Sequence, residues 1–358
     1  MSLSRWGWNE YFEAIWKSAE RGNAVPGRAI SQQRKFWTLA GEFGESLAEA
    51  AGKLRLAAEE EGADWPAVGD WVAAEVQERG GGALIHEVLP RRSKFARKTA
   101  GKLLQEQVLA ANVDTAFLVS ALDGDFNPRR IERYLSQCWE SGARPVVVLN
   151  KADVSANAQE KAAEAERIAA GTIVHVVSAK TGQGFDQLEK YLGPGQTIVL
   201  LGSSGVGKST MLNRWMGRAI QEVQEVRESD SRGRHTTTAR ELFELSGGAL
   251  LIDTPGLREL QLWDASEGIA RTFVEIEELG ATCRFANCRH EGELGCAIVR
   301  AVEEGMLESE RLESHRKLLK EQEFLHRKLD PEAALAWKNR VKTLHKEVRK
   351  TYKSGKHK

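Results

Sequence analysis

The spacing of hydrophobic residues changes several times along this chain of 358 residues. Near the N-terminus, Trp8, Phe12, Ile15 and Trp16 recur at helical spacing within residues 1–26. This N-terminal extension therefore predicts a short amphipathic helix. Its aromatic face either packs on the next domain or binds a partner, and the pattern allows both interpretations.

Short alternating runs separated by turns follow, and they are typical of strands. The candidate strands are Arg28–Ile30, Phe36–Leu39, Glu45–Leu47, Lys53–Leu56, Trp71–Val76 and Ala83–Val88. Five or six short strands within about 70 residues favour a small barrel, and we predict an RNA-binding OB-fold over residues 27–100. The basic run Pro90–Lys98 leaves this barrel, and a lone charge run of this kind is typical of a solvated linker.

Continuous apolar runs, typical of buried parallel strands, replace the alternation after residue 105. They are Thr115–Ser120, Pro145–Leu149, Ile173–Val177, Thr197–Leu201 and Ala249–Ile252. Helical segments alternate with them at Arg129–Glu140, Ala158–Ala170 and Phe185–Leu192. This alternation predicts a multidomain α/β protein with a doubly wound sheet in residues 105–279. Further helices are predicted at Ala297–Glu304 and Ser309–Lys328 within residues 280–330, before a basic, disordered tail at residues 331–358.

Composition narrows the class of protein but does not name a partner. Hydrophobic residues make up 41% and charged residues 28%, as in globular proteins. Lys plus Arg equals Asp plus Glu at 51 each, so the net charge does not indicate nucleic acid. No apolar run reaches the length of about 18 residues that a membrane span needs, and the N-terminus does not resemble a signal peptide. We therefore expect a cytoplasmic protein without a membrane partner.

A glycine-rich stretch, GSSGVGKST from Gly202 to Thr210, lies between an apolar strand and a helical segment. In this context the pattern GxxxxGK[ST] binds the phosphates of a nucleoside triphosphate through backbone N–H groups and the start of the helix. Lys208 would neutralise the outer phosphates, and the Ser209 hydroxyl would bind Mg²⁺. A glycine-rich turn without a ligand is the alternative.

The motif NKAD, Asn150 to Asp153, indicates guanine. A carboxylate at Asp153 can accept hydrogen bonds from N1–H and from the exocyclic amine of guanine, and adenine offers no such pair. Asn150 would tie this loop to the phosphate loop, the Lys151 stem would cover the base, and the SAK loop would add a backbone N–H to guanine O6. The candidate nucleotide-binding residues are Asn150, Lys151, Ala152, Asp153, Ser178, Ala179, Lys180, Gly202, Ser203, Ser204, Gly205, Val206, Gly207, Lys208, Ser209, Thr210 and Gly256.

Two polar segments after the phosphate loop predict switch loops. GRHTTT, at residues 233–238, would supply a threonine to Mg²⁺, and we choose Thr237, with Thr236 and Thr238 as alternatives. DTPG, at residues 253–256, would supply Asp253 to the same ion and the Gly256 N–H to the γ-phosphate. Two loops that contact the γ-phosphate can relax after hydrolysis.

The residue after DTPG is Leu257, where Ras-like enzymes carry a glutamine that orients the attacking water. Slow hydrolysis that a partner accelerates is therefore expected. We predict Lys208 and His235 as catalytic residues. His235 either positions the water through its neutral imidazole or only orders the switch loop.

A cysteine cluster follows the switch loops. Cys283, Cys288, His290 and Cys296 place three sulfurs and one imidazole within fourteen positions, as in closed structural zinc sites. The alternatives are reactive or merely buried cysteines, with His290 as a surface residue. Cys138 lies in a helical segment and is expected to be a small buried side chain.

The motifs occur in an unusual order, because NKAD and SAK precede the phosphate loop; a circular permutation of a GTPase accounts for this order. The chain resembles the ribosome small subunit-dependent GTPase A (RsgA) family of circularly permuted bacterial GTPases. The resemblance rests on PAVGDWV, LPRRSKFARK, NKAD, GSSGVGKST, GRHTTT, DTPG and CRFANCRHEGELGCAI. It implies an N-terminal OB-fold, a permuted G domain and a C-terminal helical domain with one zinc ion.

This resemblance also implies a GTPase that binds the small ribosomal subunit and its rRNA, acts late in subunit maturation and is stimulated by the subunit. We expect a monomer that uses Mg²⁺ with GTP. An RNA-binding assembly scaffold in which GTP is mainly a structural ligand is the second hypothesis, which Leu257 keeps open. A GTPase that assembles the large subunit is the third.

Overall fold

The computed structural model describes residues 2–60, 65–77, 81–98, 106–169, 171–217, 240–254 and 265–329. Within these ranges the strands are β1 (Val25–Gln33), β2 (Phe36–Gly41), β3 (Gly44–Ala50), β4 (Trp71–Val76), β5 (Ala83–Val88), β6 (Lys94–Lys98), β7 (Glu106–Ala111), β8 (Thr115–Ala121), β9 (Arg144–Asn150), β10 (Ile173–Val176), β11 (Thr197–Leu201), β12 (Arg240–Glu244) and β13 (Leu250–Asp253). The helices are α1 (Glu10–Lys17), α2 (Gly52–Glu60), α3 (Pro128–Ser141), α4 (Ala158–Ile168), α5 (Lys208–Met216), α6 (Ser266–Thr272), α7 (Val274–Ala281), α8 (Ala297–Glu303) and α9 (Ser309–Leu329). Among the helices of these ranges, none is long and apolar enough to cross a membrane.

Strands β1 to β5 form the OB-like barrel that the alternating runs predict. Each strand pairs with the next around the barrel in the order β1, β2, β3, β5 and β4, and β4 closes it against β1. Alternate residues point inward, so that Trp37, Leu39, Val72 and Ile85 share one buried cluster.

One predicted barrel strand is wrong, because Lys53–Leu56 lies in helix α2. Leu54 and Leu56 are two positions apart and imitate the alternation of a strand. Leu54 packs against the barrel core, whereas Leu56 is 55% exposed. The surrounding alanine, glutamate, lysine and arginine residues favour a helix, and that preference decides the structure.

The basic run Pro90–Lys98 is also not a solvated linker. Its second half is β6, which pairs antiparallel with β7 in a separate two-stranded sheet. Ser93 and Phe95 are buried and alternate with the charged residues Arg92 and Lys94, so the segment follows the period of a half-buried strand. The positive charges conceal that period in the sequence.

The G domain has the predicted doubly wound sheet, with strand order β10-β9-β8-β11-β13-β12. All of these neighbours are parallel except β12, which is antiparallel to β13. Leu118 faces a cluster with α3 and α4, while Phe117 and Val119 face a second cluster with Met211 of α5. Helices therefore cover both faces of the sheet.

Strand β1 joins the barrel to the G domain. Ser31 pairs with Glu241 and Gln32 pairs with Arg240 of β12, so the barrel and the G domain share one eleven-stranded sheet among the described residues. The N-terminal extension packs beside this junction, as one of its two interpretations predicts. The Trp8 ring lies 4.7 Å from the Trp71 ring of the barrel, centroid to centroid, and Phe12 is buried in the same cluster.

Arg28 of β1 is the buried centre of this junction. It donates to the Thr197 Oγ1 atom at 2.9 Å, to the Gly69 carbonyl at 3.2 Å and also to the carbonyl of Trp6. Burial lowers the pKa of Arg28 to about 10. One guanidinium therefore connects the extension, the barrel and the strand that precedes the phosphate loop.

A buried carboxylate, Glu132 of α3, docks the C-terminal helices onto the G domain. Its Oε1 atom accepts from Arg129 at 2.7 Å and from Arg311 of α9 at 2.8 Å, and Ser314 donates to its other oxygen. Arg311 also donates to the Thr272 carbonyl at 2.6 Å. Several donors therefore satisfy this charge within the interface.

We expect Glu132→Gln to weaken this interface, because it removes the buried charge that pairs with Arg129 and Arg311. Among the described residues, Arg311 then keeps only the partly exposed Glu275 as an ionic partner. Removing one member of a buried pair costs about 3 kcal/mol or more. Hydrogen exchange of the α9 amides measures the free energy of local opening. The matched control is Glu321→Gln, which removes a partly exposed ion pair between the same two helices and should cost below about 1 kcal/mol. Equal losses of opening free energy in Glu132→Gln and Glu321→Gln would contradict the prediction.

Candidate active site and metal centre

The phosphate loop connects the end of β11 to the start of α5. Gly202, Gly205 and Gly207 have φ angles of 155°, 80° and 98°, a region that favours glycine. A Cβ atom on Gly207 would lie 2.2 Å from the Asn150 Nδ2 atom, and one on Gly202 would lie 2.4 Å from the Val119 carbonyl oxygen. The loop therefore needs glycine for its shape and for the close approach of the strands beside it.

Lys208 begins helix α5 and folds back over the loop. Its Nζ atom donates to the carbonyl oxygens of Gly202 at 2.7 Å and Ser203 at 2.5 Å. Ser209 and Thr210 follow in the first turn of α5, where the backbone N–H groups of a helix point out of its start. One ammonium, N–H groups at a helix start and two hydroxyls are the donors that an anion-binding site uses.

Asn150 connects three loops at the end of β9. Its Nδ2 atom donates to the Val206 carbonyl at 2.8 Å, and its Oδ1 atom accepts from the Ala179 N–H at 2.9 Å. The side chain is buried. NKAD, SAK and the phosphate loop are thus held together at one edge of the sheet.

The Asp153 carboxylate lies in a short 3₁₀ turn, Ala152–Val154, directly after Lys151. The buried Ser178 hydroxyl donates to the Asp153 Oδ1 atom at 2.6 Å and accepts from the Thr181 N–H at 3.1 Å. These contacts fix the direction of the carboxylate. Lys180, the last residue of SAK, is exposed.

Asp253 is the last residue of β13, which lies beside β11. Because the two strands are parallel, Asp253 and the phosphate loop share the carboxyl edge of the sheet. An aspartate and the Ser209 hydroxyl at this edge are the hard oxygen ligands that Mg²⁺ prefers. His235, Thr236, Thr237, Thr238, Gly256 and Leu257 lie outside the described residues.

The sequence motifs missed a segment that contacts the nucleotide loops. Asp123 and Asp125 follow β8, and their side chains pair with Lys151 and with Arg130. Arg130 and Asp125 also contact the Ser203 side chain. Asp123 and Asp125 could have been predicted from their place in the sequence alone. They follow an apolar strand, and the end of that strand lies at the same sheet edge as NKAD.

The C-terminal module gathers the four candidate metal ligands. The Cys283 Sγ atom lies 3.9 Å from the Cys296 Sγ atom, and each of these sulfurs lies 3.5 Å from the His290 Nδ1 atom. All four ligand atoms, including that of Cys288, lie within 4.8 Å of one another. A tetrahedral zinc site separates two sulfurs by about 3.8 Å and a sulfur from a nitrogen by about 3.6 Å. The residues present therefore fit one zinc ion.

The chain around this cluster is shaped by backbone contacts. His290 has a φ angle of 61°, and Arg316 of α9 donates to its carbonyl oxygen. Glu293 accepts from the Arg289 and Glu291 N–H groups at 2.8 Å each, and the Arg289 contact is the main reason that the pKa of Glu293 falls to about 2. Cys138 lies apart from the cluster, fully buried in α3, as expected.

Comparison with known proteins gives a consistent picture. The RsgA GTPase family model matches residues 88–263. The chain is 45% identical to the small ribosomal subunit biogenesis GTPase RsgA of Opitutus terrae, over 98% of this chain and 97% of that protein. It is 44% identical to the protein of the same name from Syntrophotalea carbinolica, over 97% of each chain.

Two solved structures are similar. The crystal structure of YjeQ from Thermotoga maritima matches with a TM-score of 0.61 and 28% identity, over 84% of this chain and 98% of that chain. YloQ, described as a circularly permuted GTPase, matches with a TM-score of 0.56 and 22% identity, over 85% and 98% of the two chains. At that identity the YloQ likeness shows the fold alone.

Proposed function

Because the chain belongs to the RsgA GTPase family, we propose that this GTP-hydrolysing enzyme binds the small ribosomal subunit and acts late in its maturation. The subunit would stimulate the hydrolysis of GTP to GDP and phosphate. The Asn150 side chain supports the binding of GTP most directly, because it holds the NKAD and SAK loops against the phosphate loop. The relatives named above carry small subunit biogenesis in their names.

In this proposal the described residues divide the work of binding GTP. Asp153, held by Ser178, accepts from guanine, and the SAK backbone meets guanine O6. Lys208 and the N–H groups of the phosphate loop bind the outer phosphates. Ser209, Asp253 and Thr237 would hold Mg²⁺, which offsets the charge of the phosphates when bound. The Gly256 N–H would meet the γ-phosphate. The other candidate nucleotide-binding residues of the sequence analysis belong to the same proposal.

The C-terminal cluster would hold a structural zinc ion. Cys283, Cys288, His290 and Cys296 leave no position open for water in a tetrahedral shell, so the ion would stabilise the module rather than catalyse a reaction. We place the domain boundaries at residues 27–100, 105–279 and 280–330, with the extension before them and the basic tail after them. The barrel and this tail would contact rRNA phosphates, so subunit affinity should fall steeply with salt.

His235 is our candidate for positioning the attacking water, because Leu257 cannot do so. His235→Ala is expected to lower the single-turnover rate of GTP hydrolysis by about 10²-fold or more while nucleotide affinity survives. Quenched-flow hydrolysis and equilibrium binding measure the two quantities separately. Equal single-turnover rates would leave His235 with only an ordering role in its loop.

The decisive experiment is GTP turnover titrated separately with purified small and large ribosomal subunits. Stimulation by small subunits alone supports the proposed function, and stimulation by large subunits alone would redirect it to the other particle. Turnover that neither particle stimulates would favour the second candidate, an RNA-binding scaffold with GTP as a structural ligand. Leu257 is the observation that keeps that candidate open.

A further inference from the structure

Residues 123–130, which we term the clasp segment, connect β8 to the first turn of α3. At one end of this segment, the Asp123 Oδ2 atom accepts from the Lys151 Nζ atom of NKAD at 2.7 Å. The Asp123 Oδ1 atom accepts from the Asp125 N–H at 3.0 Å, which makes the segment compact. The clasp segment thus starts beside the base-reading loop.

At its other end, the clasp segment holds the phosphate loop by a closed set of three hydrogen bonds. The Arg130 Nη1 atom donates to the Asp125 Oδ2 atom at 2.6 Å and to the Ser203 Oγ atom at 2.8 Å. The Ser203 hydroxyl donates to the same Asp125 oxygen at 2.8 Å. The Asn127 side chain caps α3 by accepting from the Arg130 N–H, which fixes the position of the arginine in the first turn.

The electrostatics favour this arrangement. Partial burial raises the pKa of Asp125, but hydrogen bonds from Arg130 and Ser203 outweigh it and hold that pKa below its ordinary value. The pair is therefore charged at neutral pH, and hydrogen bonds between charged groups are about twice as strong as those between neutral groups.

Ser203 is held by two sets of hydrogen bonds, one to its carbonyl oxygen and one to its hydroxyl. Only the bond to the carbonyl oxygen would be affected by a bound phosphate. The Ser203 carbonyl oxygen accepts from the Lys208 Nζ atom, and its hydroxyl contacts Arg130 and Asp125. A bound triphosphate would compete with the carbonyl for the same ammonium. The contacts of the hydroxyl would remain, so they matter most when nucleotide is bound.

We propose that Arg130 and Asp125 are positioning residues that hold Ser203 so that the phosphate loop keeps its shape around a bound nucleotide. The inference rests on the proposed function, because it concerns the binding of GTP and GDP. It extends the site beyond the sequence motifs. It also gives the first turn of α3 a role in nucleotide binding.

The test compares two arginines of α3 that are alike except in their partners. Arg130 is 30% exposed and contacts the phosphate loop, whereas Arg133 is 31% exposed and pairs with Glu321 of α9. Fluorescent GDP is titrated into the full-length wild type, Arg130→Gln, Arg130→Lys, Asp125→Asn and Arg133→Gln. We expect Arg130→Gln and Asp125→Asn to raise the Kd by roughly tenfold, Arg130→Lys to restore part of the affinity, and Arg133→Gln to stay within about twofold of the wild type.

The variant Arg130→Gln/Asp125→Asn should bind about as weakly as either single variant, because the two residues act together. The melting temperature of the nucleotide-free protein is the second readout. We expect Arg130→Gln and Arg133→Gln to lower this temperature equally. Equal Kd values for these two variants, or additive losses in the double variant, would overturn the inference alone. A wild type that binds no guanine nucleotide would overturn the proposed function and the inference with it.

Discussion

An Asp153→Asn protein is expected to lose guanine nucleotides and to gain xanthine nucleotides. The Ser178 hydroxyl donates to the Asp153 Oδ1 atom, so it would retain the amide oxygen of asparagine and turn the amide nitrogen towards the base. Guanine presents its N1–H and its exocyclic amine at this position. Both are hydrogen-bond donors, so neither can bond to the amide nitrogen of asparagine, which is also a donor. Sites that leave such polar groups unpaired lose about 10⁴-fold in affinity. Xanthine carries a carbonyl oxygen in place of the amine and accepts from the new donor.

Competition titrations of fluorescent GDP with GDP, XDP and ADP measure this exchange of specificity. The control is Asp186→Asn, because Asp186 is an exposed aspartate that follows the SAK loop and should leave every affinity unchanged. If Asp153→Asn still prefers GDP over XDP, Asp153 does not read the base. If the wild type binds ADP as well as GDP, the guanine assignment itself is wrong.

Removal of zinc is expected to unfold the C-terminal module while the G domain stays folded. The module has a small core, which includes Ile298, Ala301 and Leu307 and packs against Phe273 between the preceding helices, and the three cysteines of the cluster lie in or against it. Structural zinc supplies about 10 kcal/mol of apparent folding free energy in small modules of this kind. We expect a chelator, or Cys296→Ser, to abolish hydrogen-exchange protection in α8.

Zinc content per chain and protection of α8 are measured together on the full-length protein. Cys138→Ala is the matched control, because it removes the thiol that lies outside the cluster and should leave one zinc per chain. A fully protected α8 after complete removal of zinc would show that the hydrophobic core alone maintains the module.

Motifs at strand ends were predictable from the sequence because their chemistry is local. A buried apolar run followed by NKAD or by a glycine-rich loop fixes both the strand and the side of the sheet. The structure accordingly brings Asn150, Val206 and Ala179 together within hydrogen-bond distance. The barrel strands β4 and β5 also match their predicted bounds.

The features that were not predicted depend on contacts between distant segments. Leu54 packs against the barrel core whereas Leu56 is exposed, and their spacing in the sequence does not reveal this difference. Arg28 resembles any surface arginine in the sequence, yet its partners lie as far away as Thr197. Arg130 belongs to no motif, and only the folded chain places it on Ser203. Such pairings need the tertiary structure.

The pairing of β1 with β12 has a consequence for the solubility of the G domain. Without β1, strand β12 would lie at the margin of the G domain sheet and expose the backbone groups at Arg240 and Glu241 that now pair with Gln32 and Ser31. An open strand of this kind is a template on which another chain can add. By pairing with β12, the barrel therefore covers a strand of the G domain on which another chain could otherwise add.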